Sequence, residues 1–135
     1  MSTYIIDSPE PTPETKPYWE AVRAGKLSLQ RCDDCGDTIF YPRLVCPSCM
    51  SDRLTWTDVS GRGEVYSFTV VHRAGPAHKA MVPYVVALIA LEEGPRMMSW
   101  LKTDDLDAIR IGMAVKVGFA KGEGDNVLPV FEPAG

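Results

Sequence analysis

Histidine is scarce in this 135-residue chain, which has two, and no apolar run reaches the roughly 20 residues that a membrane-spanning helix needs. The best candidate, Val82 to Leu91, contains Pro83 and ends against Glu92 and Glu93. Met1 to Thr15 has no basic stretch followed by an apolar one, so it does not read as a secretory signal. Basic residues number 14 against 18 acidic ones, and a formal charge of −4 disfavours generic binding to a phosphate backbone. Gly-x-Ser-x-Gly, a phosphate-binding glycine loop and His-Glu-x-x-His are also missing, which removes the common signatures of hydrolysis, nucleotide binding and metalloproteolysis. What remains is a small, cytoplasmic protein that does not announce an enzyme. Its 45% hydrophobic and 24% charged residues are enough to fold most of the chain.

Four cysteines stand out against this background. Cys32 and Cys35 form one Cys-x-x-Cys pair, Cys46 and Cys49 a second, with ten residues between the pairs. Two residues between cysteines let a tight turn aim both sulfurs at one point, and two such knuckles complete a tetrahedron of thiolates. In a reducing compartment the spacing favours one zinc per chain over rubredoxin-like iron or a pair of disulfides. Four thiolates leave no open coordination position, so the zinc is expected to be structural. Gly36 follows the first knuckle, where a left-handed backbone is easily met by glycine, whereas Met50 occupies the equivalent place after the second.

The remaining punctuation divides the chain into three parts. Residues 1–14, dense in Pro, Glu and Thr, read as a flexible tail; 15–52 as a short helix plus zinc ribbon; 53–135 as a strand-rich domain. The helix lies between a cap at Thr12 or Thr15 and a terminating Gly25, with Tyr18, Trp19, Ala21, Val22 and Ala24 as its apolar residues. Alternation from Lys26 to Arg31 predicts a strand into the first knuckle, and Arg53 to Asp58 another after the second, before a bend at Gly61 and Gly63. Five further strands are expected at Val65–Val71, Tyr84–Leu91, Arg96–Leu101, Ala114–Ala120 and Val127–Phe131. Tyr84–Leu91 is nearly all apolar and is expected to be buried on both faces. A helical turn is expected over Asp104–Ile109 and a hairpin at Gly122–Asn126. The fold class is mainly β: short N-terminal helix, rubredoxin-like zinc ribbon, and a five-stranded OB-fold barrel.

Nothing in the strand-rich part resembles a reaction centre. Glu92-Glu93 and Asp104-Asp105 sit beside turns, where solvated carboxylates are expected, and His72 and His78 read as solvated loop residues. No catalytic residue is assigned.

Across the chain, the ordered set Tyr18-Trp-Glu, Leu29-Gln-Arg-Cys32, Cys35-Gly, Tyr41-Pro-Arg, Cys46-Pro, Ser60-Gly-Arg-Gly63, Val65-Tyr-Ser, Val70-Val-His-Arg73, Pro83-Tyr-Val-Val-Ala-Leu, Gly94-Pro-Arg and Leu128-Pro-Val-Phe resembles the zinc-ribbon plus OB-fold family once catalogued as domain of unknown function 35. The resemblance runs from Thr15 to Pro133 and implies an accessory subunit in a hetero-oligomer with an acyl-CoA enzyme. The implied partner is a thiolase-superfamily condensing enzyme or a lipid-transfer-protein-like aldolase, or alternatively a hotdog-fold hydratase. It places candidate partner-facing anchors at Tyr18, Trp19, Phe40 and Tyr41, since aromatics are enriched at interface centres; the rival reading is that they seal helix against barrel. In the loop from His72 to Lys79, His72, Arg73 and Lys79 are candidate contacts for CoA through charge-assisted hydrogen bonds. Arg96 is a candidate for a structural ion pair. A single-stranded nucleic-acid binder is the alternative function, and the acidic balance weighs against it.

Overall fold

The computed structural model describes residues 10–76, 78–121 and 127–134. The expected Gly122–Asn126 hairpin and residues 1–9 of the expected tail lie outside them.

Helix α1 (Lys16–Arg23) has Pro17 in its first turn, where the missing N–H costs no intrahelical bond. Neither threonine caps it by side chain; instead Thr12 and Thr15 close a turn, with Thr12 N donating to Thr15 Oγ1 at 2.8 Å and Lys16 N to Thr12 O at 2.9 Å. Gly25 (φ 79°) ends the helix as expected: Lys26 N donates to Ala21 O and Gly25 N to Val22 O, the paired bonds of a Schellman motif. The helix buries Tyr18 and Val22, and it lies against strands β1 (Ser28–Cys32) and β8 (Val127–Pro133).

β1 is the centre of a three-stranded antiparallel sheet, flanked by β2 (Thr38–Ile39) and β3 (Leu54–Asp58). β3 pairs with β1 over five residues, from Ser28 opposite Asp58 to Cys32 opposite Leu54. The strand read at Arg53–Asp58 therefore completes the ribbon sheet and does not join the barrel, although it follows the boundary expected at residue 53. Chain separation explains why spacing did not reveal this: β3 reaches β1 only after the whole cysteine loop has folded back.

The other strands, β4 (Arg62–Val71), β5 (Tyr84–Leu91), β6 (Arg96–Leu101), β7 (Ala114–Lys121) and β8, close a barrel in the order β4-β5-β6-β8-β7. All the neighbour pairs are antiparallel except β6 with β8, which meet in parallel at Leu101 and Phe131. This is the strand order of a five-stranded Greek-key OB barrel. Gly61 and Gly63 make closure possible. A Cβ on Gly63 would lie 2.5 Å from Ala90 O, and Gly61 (φ 75°) accepts a hydrogen bond from Val117 N at 2.8 Å. A β-bulge between Val65 and Ser67 bends β4 around the barrel.

β5 corrects one expectation. Val85, Ala87, Ile89 and Leu91 are buried, but Tyr84, Val86, Leu88 and Ala90 are half-buried, so one face fills the barrel and the other is only partly covered. The barrel interior, with Met97, Val115 and Phe131, is continuous with Tyr18, Val22, Leu27 and Leu29, so α1 and β1 share one core with the OB barrel. Cys32, Ile39 and Cys46 form a separate small core with Leu54 packed against it. The helical turn expected over Asp104–Ile109 is a 3-10 turn at Leu106–Ala108, begun by Asp105, whose side chain accepts from Asp107 N.

Candidate metal centre and aromatic cleft

The two cysteine knuckles are built alike. In the first, Gly36 N donates to Cys32 O and Cys32 N to Asp37 O, both at 2.8 Å; in the second, Met50 N donates to Cys46 O and Cys46 N to Ser51 O, again at 2.8 Å. Cys35 N points at Cys32 Sγ (3.5 Å) and Ser48 N at Cys46 Sγ (3.4 Å), so a backbone N–H is aimed at the first sulfur of each knuckle. The four sulfurs lie within 4.8 Å of one another, with Cys32 to Cys49 at 3.5 Å and Cys35 to Cys46 at 3.6 Å. A disulfide needs about 2.05 Å, and all four cysteines are free. Thiolates held about 2.3 Å from a shared ion sit about 3.8 Å apart at the corners of a tetrahedron, so the donor set fits a metal.

Electrostatics points the same way. The Cys35 N–H, opposed by burial and aided by the Asp34 N–H, lowers the Cys32 thiol to about 7. For Cys35 the Asp37 N–H is outweighed by burial and by the Cys46 and Cys32 sulfurs, which push it up to about 12. Four sulfurs this close do not ionise together unless a cation compensates them. Outside the ligands, Asp34 accepts from Arg53 and from Ser51, tying the start of one knuckle to the end of the other; these bonds, Arg53 first, hold its carboxyl below the usual carboxylate range.

The aromatic residues singled out in the sequence meet on another side of the ribbon. Tyr18 stands edge-on to Trp19 (4.9 Å between ring centroids) and to Tyr41 (5.8 Å), with Phe40 at 6.1 Å; Phe40 and Tyr41 are 5.4 Å apart. These four rings form one side of a cleft of about 410 Å³, and Met98, Trp100 and Leu128 of the barrel are among the residues of the other. Its polar Ser99 hydroxyl donates to Pro129 O at 3.0 Å, leaving an almost wholly apolar lining. Tyr18, 2% exposed, is the floor; Trp19 and Phe40 are half-buried, and Tyr41 and Met98 are exposed. Burial, with Tyr41 nearby, pushes the Tyr18 phenol well above its ordinary value.

A buried clamp shapes the ribbon side of the cleft. Gln30 on β1, 5% exposed, accepts from Arg43 N at 2.7 Å and donates to Arg43 O at 2.9 Å, pinning the loop that carries Phe40 and Tyr41. Sequence reasoning missed this function, as it missed Trp100: a polar residue in an alternating strand reads as solvent-facing, and only the folded-back loop supplies its partners.

Beyond the cleft, His72, Arg73 and Lys79 are exposed, and none meets the metal centre. His78 is not simply solvated as expected: it is half-buried, its ring 6.4 Å from Tyr84 and 6.3 Å from Trp100. Arg96, expected in an ion pair, lies over the Tyr66 ring at 3.8 Å, a cation–π contact. The carboxylates of Glu92 and Glu93 accept from the Ser60 hydroxyl, Glu93 also accepts from Ser60 N, and Glu92 pairs with Arg62 at 3.8 Å, so both carboxylates brace the bend before β4.

Comparison with known proteins places this geometry. The ChsH2 rubredoxin-like zinc ribbon domain matches residues 19–55 and the ChsH2 C-terminal OB-fold domain residues 56–120. A DUF35 domain-containing scaffold protein of Methanothermobacter thermautotrophicus is 34% identical over 110 residues, covering 80% of this chain and 83% of that protein. A probable enoyl-CoA hydratase alpha subunit of Thermomonospora curvata is 38% identical over 118 residues, 87% of this chain, but the chain spans only 36% of that subunit's length. The solved Ltp2-ChsH2(DUF35) aldolase contains a chain that superposes with a TM-score of 0.83 at 35% identity, covering 94% of this chain and 99% of that one. Both domain types match in order on the observed ribbon and barrel, and the scaffold relative aligns over most of its length: the chain belongs to the DUF35 family of zinc-ribbon and OB-fold proteins.

Proposed function

We propose that this protein is a non-catalytic subunit that docks onto an acyl-CoA-processing enzyme of the thiolase superfamily, a condensing enzyme or a lipid-transfer-protein-like aldolase, in the cytoplasm. The observation that carries the reading is the near-complete correspondence with a chain of the Ltp2-ChsH2(DUF35) aldolase. The aromatic cleft supports it, because a concave apolar surface with an exposed rim suits the insertion of a partner's side chain. On this reading Tyr41 and Trp19 meet the partner, while Phe40 and Tyr18 back them.

Cys32, Cys35, Cys46 and Cys49 hold one zinc per chain, which rigidifies the ribbon beneath the cleft. Bound zinc supplies no reaction here, since four thiolates fill its coordination shell. Arg73 and Lys79 remain the candidates for the CoA phosphates. They lie in the loop whose His78 packs on Trp100, a cleft residue, so a ligand held there would run toward the docking face.

Co-expression with a thiolase-superfamily condensing enzyme or aldolase tests the reading. One co-eluting complex is expected, and separate elution of two folded proteins overturns it. The hydratase alpha subunit relative favours a second reading, in which the enzyme served is a hotdog-fold hydratase; co-elution with a hydratase and not with a thiolase-superfamily protein would select it.

A further inference from the structure

Both carboxylate oxygens of Asp34, in the first knuckle, are held by residues that follow the second. The Ser51 hydroxyl donates to one and the Arg53 guanidinium to the other, and Arg53 N in turn donates to Ser51 Oγ at 3.1 Å. Its neighbour Asp33 repeats the pattern: Asp33 N donates to Arg53 O at 2.9 Å, and its carboxylate accepts from the Thr55 hydroxyl at 2.9 and 3.0 Å. Asp33 and Asp34 are the two residues between Cys32 and Cys35, whereas Ser51, Arg53 and Thr55 all follow Cys49. Ser51 belongs to both turns, since its carbonyl accepts from Cys46 N to close the second.

An exposed ion pair contributes little by itself, and Arg53 and Asp34 are 66% and 40% exposed. What sets this pair apart is the segment it anchors. The peptide between Asp34 and Cys35 carries the N–H aimed at Cys32 Sγ, so a fixed Asp34 side chain fixes that donor against the sulfur. A divalent ion on four thiolates also leaves a centre of net charge about −2, and Asp33, Asp34, Asp37 and Asp52 crowd the same stretches of chain. Of the ion pairs among the described residues, only that of Arg53 meets one of these carboxylates. We infer that Asp34, Ser51 and Arg53 are positioning residues of the metal centre: their bonds hold the first knuckle where the second requires it, and Arg53 offsets the negative charge gathered there. The inference rests on the assignment of a zinc to the four cysteines and adds residues outside the ligand set that govern its retention.

Zinc affinity of the full chain, measured by competition with a chromophoric chelator, and the absorption bands of the cobalt(II)-loaded chain test the role. Wild type is compared with Arg53→Met, Arg53→Lys, Asp34→Ala and Lys26→Met. Lys26 is the control, for it pairs with Asp58 at 3.8 Å at the end of the β1–β3 ladder away from Cys32. Expected are zinc affinities about tenfold to a hundredfold weaker for Arg53→Met and Asp34→Ala, with altered cobalt bands. Arg53→Lys, which keeps the charge, should fall between Arg53→Met and wild type, and Lys26→Met should match wild type. Wild-type affinity and bands in both Arg53→Met and Asp34→Ala overturn the positioning role and leave the four-cysteine site intact. An equal loss in Lys26→Met also overturns it, because the effect is then a general weakening of the ribbon. A wild type that takes up neither ion removes the metal centre, and the inference falls with it.

Discussion

Cys32 and Cys46 are buried while Cys35 and Cys49 are exposed, so each knuckle contributes one sulfur to the small core and one to the surface. Cys32→Ser or Cys49→Ser should release metal and melt at least the ribbon, because binding free energy in such sites is folding free energy; metal analysis with thermal melting checks it, and full stoichiometry with an unchanged melt would refute the assignment. Acidification acts in the same direction, since protons compete with the ion for the thiolates. Gln30→Ala should cost about 2 kcal/mol in urea unfolding, the result of stranding the N–H and carbonyl of Arg43. Tyr18 gives a pH test. Its folded phenol titrates above the ordinary 10.0, so above that pH the unfolded chain loses a proton that the folded one keeps. Stability should therefore fall as pH rises past about 10, and Tyr18→Phe should flatten that fall in pH-dependent unfolding.

At the level of elements, β4 decides whether the barrel closes. Gly61→Ala would place a Cβ 2.3 Å from Val117 Cγ1 on a backbone at φ 75°, and strain plus overpacking predict a loss of about 2–4 kcal/mol, measured by denaturant unfolding. The place of every strand except the two-residue β2 was legible because alternation and glycine bends are local signals. That β3 belongs with β1, and that β5 is fully buried on one face and only partly covered on the other, was not legible, because both depend on which segments lie alongside after folding. The sequence also suggested a threonine side-chain cap for α1, but tertiary packing of Tyr18 and Val22 holds the helix in place without one.

For the whole molecule, ribbon, helix and barrel share one face, the cleft of about 410 Å³. Trp19→Ala together with Tyr41→Ala should leave zinc content unchanged and weaken co-elution with the enzyme subunit by more than tenfold, checked by size exclusion and calorimetry. The candidate rings were readable as residues, because large aromatics near a metal ribbon need something to pack against. Their convergence was not, since 21 positions separate Trp19 from Phe40 and the opposite wall comes from the barrel. The sequence by itself determined the spacing of the four cysteines and the five strands of the barrel, because each is written in contiguous residues whose spacing and alternation are local signals. Only the tertiary structure decided that Gln30 is a clamp, that Tyr18 is floor rather than rim, and that Met50 faces solvent from a strained turn, because burial and partnership are properties of distant segments brought together.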